Sequence, residues 1–330
     1  MHKLGFRAIA LTVATATMGA LVLQAAPARA AVPDPGVAEL KQMVADVGTW
    51  TSGLAEAGKL AEKVPLVGSS AGSILGFPDL VQKAVGDQIA ALDNWSDYSA
   101  PKSFTLGDGR AGTLTLTHSG TDPHVVTFHL SVSKSLTSEP FSFVNENPKV
   151  NLSAAGGVSV TASMTLDFAV AVTPTASSTF LAHVVNNATT NPHFSVDVTA
   201  ALPTGTDSLS AAIGILGVTA TADAAHRTAS IHLVGTVDDP DGDGKLYRTM
   251  PDGTPGELND LTAAVGLVHV GFRPSGAGGA GSIDVDLTIN AASNASFSLP
   301  TALTATVGIH WADISSGTPT VTATGLDPVA

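Results

Sequence analysis

A change of hydrophobic period near Pro101 constrains this chain more than any other feature of its sequence. Before it, Val37, Leu40, Met43, Val47, Trp50, Leu54, Ala57, Ala61 and Val64 recur every three or four residues, the spacing that places side chains on one stripe of a helix. Gly48 and Gly53 predict a division of that stripe into two helices, and Pro78 to Trp95 reads as a further helix with proline in its first turn. After Pro101 the period drops to two. Thr113 to Thr117 alternates cleanly, and Val158 to Val172, Phe194 to Val198, Ala229 to Val237, Val265 to Phe272, Ile283 to Ile289 and Leu303 to Trp311 follow more loosely, with Gly, Pro, Asp and Ser between them. Strands with one polar face, not interleaved with helices, predict antiparallel pairing. The expected fold is α+β: a helical segment over 31–100 packed on a large, mainly antiparallel β domain over 101–330, sandwich or barrel-like, of about a dozen strands.

The first thirty residues stand outside that pattern. His2, Lys3 and Arg7 precede an apolar stretch from Ala8 to Leu23, and Ala28-Arg29-Ala30 has the form of a cleavage site, so 1–30 reads as a signal peptide and the protein as secreted. The chain has no cysteine, which rules out disulfides and thiolate metal sites. Its formal charge of −13 argues against nucleic acid, which requires clustered Lys or Arg. After the leader, no apolar run has the length of a membrane span.

Asp239-Pro240-Asp241-Gly242-Asp243-Gly244-Lys245-Leu246 is the stretch whose residue types imply a definite chemistry. Carboxylates on alternate residues, followed by a glycine free to turn sharply, suit a loop that curls around a hard cation, and the expected ion is calcium. Asp239, Asp241 and Asp243 supply side-chain oxygens and Lys245 its carbonyl. The closing position of such an EF-hand-like loop, six residues past the turn glycine, holds Met250, which cannot ligate calcium. Thr254-Pro255-Gly256-Glu257 reads as a capping box opening a short helix through Leu261. If Tyr247 to Gly253 is an insertion, Glu257 returns to the closing position, so the calcium loop spans 238–258. Because a strand leads in, the loop would act as a staple rather than a sensor.

Together with Val64-Pro65-Leu66-Val67-Gly68, Phe77-Pro78-Asp79-Leu80 and the run from Ala211 to Val218, this loop and its close at Glu257-Leu258 resemble one unit of the giant secreted bacterial repeat proteins associated with haemolysin-type calcium repeats. The resemblance covers most of residues 50 to 310. It implies an extracellular, calcium-stabilised, adhesin-like or surface-layer role.

Three other patterns bear on function. Gly68-Ser69-Ser70-Ala71-Gly72 matches the nucleophile elbow of serine hydrolases, but helices rather than a strand precede it, so Ser70 reads as a turn. His118 and His124 flank a turn and face each other across a hairpin, with His129 further along, a set too sparse for a zinc site. The high apolar fraction leaves a lipid or hydrophobe carrier as the alternative. The sequence therefore leads to a secreted, non-enzymatic calcium-binding protein with an adhesive, surface-structural or partner-binding role, its partner an unknown extracellular protein or surface.

Overall fold

A computed structural model describes residues 33–325 apart from 57, 65, 147–148, 178, 205–208, 214–215, 261–263, 275–278 and 292–302. The expected leader and Leu261 therefore lie outside the described residues, as does the first half of the Gly-containing stretch Ser275 to Ser282. Residues 33–330 form one compact unit.

Helix α1, Val37–Ser52, buries Val37, Leu40, Met43, Val47 and Trp50, the stripe that its spacing predicts, and Val44 beside them. Gly48 does not break it. A Cβ at that position would meet the Gln82 backbone nitrogen at 3.6 Å, an ordinary van der Waals contact, so the packing there does not require glycine. The helix ends at Gly53 instead, and short 3-10 turns, Gly53–Glu56 and Gly58–Leu60, replace the second helix expected there. Helix α2 is Ala71–Leu75; α3, Phe77–Val81, continues through a π-helical turn, Gln82–Gly86, into α4, Asp87–Ile89. The helical path stops six residues short of Trp95, which sits in a separate 3-10 turn with its indole donating to the Pro35 carbonyl.

Among the described residues thirteen strands follow, joined antiparallel in one open sheet. The main path runs β1 (Lys102–Thr105), β2 (Ala111–His118), β3 (His124–Glu146), β4 (Lys149–Pro174), β6 (His193–Ala201), β8 (Leu216–Val237), β11 (Ile283–Ala291), β12 (Leu303–Trp311) and β13 (Thr320–Thr324). Branches carry β5 (Phe180–Val185) on β4, β7 (Leu209–Ile213) and β10 (Val268–Phe272) on β8, and β9 (Lys245–Tyr247) on β5. The path starts at β1 and ends at β13, so among the described residues one large open sheet stands where a sandwich or barrel-like domain is expected.

One apolar core joins both segments. Val47 and Trp50 of α1 face Leu166, Phe168, Val184 and Phe194 of the sheet, and Phe77 meets Phe194 edge-on at 5.9 Å. Buried hydrogen bonds fix the docking: the Trp50 indole donates to the Ala264 carbonyl at 2.8 Å. Arg110, fully buried at the β1–β2 turn, donates through Nη1 to the carbonyls of Leu75 and Gly76 and pairs with Asp79 and Asp108 at 2.8 Å each. Burial alone would raise the carboxyl of Asp79; hydrogen bonds from Lys83 and Arg110 overcome it and hold that carboxyl below its ordinary value. A guanidinium suits this junction because its planar fork serves several acceptors at once.

Candidate metal centre

The aspartate run fills the connection from β8 to β9. Its backbone is shaped by the aspartates themselves. Asp239 accepts the Gly242 N–H on Oδ1 at 3.1 Å and the Gly244 N–H on Oδ2 at 2.7 Å. Asp241 accepts from Asp243 N–H at 3.1 Å, and Asp243 from Lys245 N–H at 2.8 Å. Gly242 and Gly244 have φ of 74° and 81°, a left-handed conformation that glycine adopts without a Cβ penalty. The result is a curl in which one carboxylate oxygen from each of the three aspartates lies within 4.8 Å of the other two.

A residue that sequence reasoning missed closes the curl. Asn186, buried just past β5, donates its side-chain amide to the Val237 carbonyl at 3.0 Å and its backbone N–H to the Gly244 carbonyl at 2.9 Å. It thereby pins both the entry and the exit of the loop to one strand end. Nothing local signals this, since Asn186 lies some fifty residues away in sequence.

Of the five expected ligands, the three aspartates converge and Glu257 stands apart from their group. Arg248 to Gly256 turn back on themselves through a Thr249–Pro255 bridge and a Met250–Thr254 backbone bond, which returns Glu257 to β9. Its carboxylate then accepts the Tyr247 N–H at 2.9 Å. The expected capping box does not form: Thr254 N–H and hydroxyl both donate to Asp252, and the described residues through Asp260 are turns rather than helix. Lys245 enters β9 opposite Val185.

The donor set fits a hard cation. Asp239 is half-buried and the other two aspartates are exposed, so water can complete a shell of six to eight oxygens. Without a counter-ion, each pair of carboxylate charges at this separation repels by about 1 kcal/mol even in water. A divalent ion reverses that sign.

The remaining candidates resolve differently. The Ser70 hydroxyl accepts the Ser73 N–H and caps α2. His118 and His124 do face each other, 2.8 Å apart, and both stack on Trp95. His129 is elsewhere, bound to Asp167 at 2.6 Å. Four further histidines meet carboxylates across the sheet: His226 and His310 with Asp284, His232 with Asp197, and His269 with Asp238 just past β8. Among the described residues, no helix is long and apolar enough to cross a membrane. No family model matches the chain, and no curated protein or solved structure matches it either.

Proposed function

We propose that this chain is a secreted, non-enzymatic protein that binds one calcium ion between β8 and β9, with the ion acting as a structural staple in an adhesive, surface-structural or partner-binding protein. The observation that carries the reading is the convergence of Asp239, Asp241 and Asp243 in a loop pinned at both ends by Asn186. Secretion is supported by the leader sequence, and calcium by an all-oxygen donor set. Glu257 supports the site by holding the Tyr247 amide at the strand that leaves the loop. An acidic surface outside the cell would favour cation uptake.

The carrier alternative has less support. Between α1 and the sheet, the apolar space lined by Val47, Trp50, Phe168 and Phe194 amounts to about 10 Å³. That is about the minimum for a single water molecule and far too small for an acyl chain.

Calorimetric titration of chelator-stripped protein with calcium tests the proposal, with Asp241→Asn/Asp243→Asn alongside. The expected outcome is saturable one-to-one binding to the native chain and a loss of at least about tenfold in the variant, equivalent to ~1.4 kcal/mol. Equal, negligible heats from both proteins would sink the metal reading.

A further inference from the structure

The strands beside the metal loop carry a second feature that the calcium reading does not use. Val172, Val184 and Leu246 point into the core, so by alternation their neighbours Ala171, His183 and Tyr247 face the other side of the sheet. These three stand in one cross-strand row, with Thr173 opposite Leu181 beside it. Together with Lys245 they line a cleft of about 520 Å³, within the range of small-molecule sites.

Three properties of its walls narrow the ligand. His183 is 8 % exposed, and its Nδ1 is sealed from solvent with no hydrogen-bond partner. Native proteins leave few such groups unmade; closed to water, this nitrogen leaves the His183 ring to serve the cleft as wall beside Tyr247. The ammonium of Lys245 forms no ion pair among the described residues, although the chain carries 28 acidic side chains against 15 basic ones. It lies 5.9 Å from the Tyr247 ring, which packs on His183 with centroids 5.0 Å apart. A single cation set among apolar and aromatic surface, with hydroxyl and imidazole groups beside it, suits one negative charge on an apolar body. A phosphate would ask for more than one cation or a cluster of backbone donors.

We propose that this cleft binds a small organic monocarboxylate, with the carboxylate on Lys245 and the apolar body against Tyr247, His183, Leu181 and Ala171. The inference does not rest on a metal ion in the loop, because β9 is held by its pairing with β5 and by the Asn186 to Gly244 bond.

The test is amide and imidazole NMR of the labelled mature protein titrated with phenylacetate, with the neutral isostere phenylacetamide as control. Phenylacetate is expected to shift the amides of Thr173, Leu181, Lys245 and Tyr247 and the ring nitrogens of His183 at millimolar concentration, and phenylacetamide to bind about tenfold more weakly. Lys245→Met should lose the preference for the acid and Lys245→Arg should keep it. Absence of shifts at these residues up to about 10 mM, or equal binding of acid and amide, overturns the assignment, and neither readout depends on a variant that folds. Titrations run with calcium and with chelator read the cleft apart from the loop: a response in either supports the cleft, and failure of calcium to bind leaves it standing.

Discussion

His183 illustrates how one residue ties stability to pH. Burial first, and then the nearby Lys245 charge, push its imidazole down to about 4 from an ordinary 6.5. In the unfolded chain it protonates near 6.5, so as pH falls below that value the unfolded state gains a proton that the folded state refuses. The folded state therefore loses stability between pH 6.5 and about 4, by roughly 2–3 kcal/mol in all, and nothing further below 4. Replacing His183 by Phe keeps a ring against Tyr247 and removes the titration. Urea midpoints at pH 7 and pH 4.5 should show the variant losing less stability than the native chain over that interval, by ~2 kcal/mol. Parallel losses in both proteins would mean that another group carries the effect. The reason His183 could not be singled out in the sequence is physical: it sits in Phe-Leu-Ala-His-Val-Val, where nothing local distinguishes a buried histidine from one on a strand surface.

At the level of elements, the cross-strand register decides which charges meet. Asp284 on β11 stands opposite His310 on β12, and its other oxygen reaches His226 near the β8 bulge at 2.9 Å. The hydrogen bond that His226 donates to Asp284 raises the His226 pKa, and those that Asp284 accepts from His226 and His310 lower its own. The sign of each contribution follows. The stabilisation from His226 is present below its unfolded pKa and is lost as pH rises through the raised folded value, whereas that from Asp284 is present above the unfolded carboxyl pKa and is lost as pH falls through the lowered one. Asp284→Asn removes the charge with little change of shape. Imidazole NMR titration should then find the His226 midpoint displaced downward, and an unmoved midpoint would show that the pair is not formed. These pairings account for much of what the sequence could not reveal. The period-two runs at 113–117, 229–237, 283–289 and 303–311 mark real strands, because alternation is written into consecutive residues. Partners 26 to 58 residues apart are set by strand order, which alternation does not encode. Short strands such as β5 and β9 also escape, being too brief to show a period. Within the candidate site the same rule applies: the three aspartates are contiguous and legible, whereas Asn186 and the engagement of Glu257 with Tyr247 depend on how distant segments are brought side by side.

For the molecule as a whole, the period change near Pro101 separates two kinds of secondary structure without separating two cores. An open sheet needs its apolar face covered. Here Val47, Trp50 and Phe77 do the covering against Leu166, Val184 and Phe194, and Phe168, which lines the same space, also stacks on Phe128 with centroids 4.6 Å apart. Gly235 shows how closely this is fitted: a Cβ there would lie 2.2 Å from the Phe194 ring, so the ring that meets Phe77 rests directly on the backbone of β8. Arg110 adds a polar tie, since removing the helices would strand a buried guanidinium whose carbonyl acceptors lie at Leu75 and Gly76. Each large apolar side chain uncovered would cost about 1.5–3 kcal/mol, and several such losses exceed the 5–15 kcal/mol margin of an ordinary domain. The chain from 101 onward is therefore expected not to fold alone. Expressed without residues 33–100, it should bind a hydrophobic dye and melt without a cooperative transition, while the chain from residue 33 should show a single calorimetric peak. A sharp, dye-free melt of the truncated chain would show instead that the sheet closes over its own apolar face and that the helices are an attached unit.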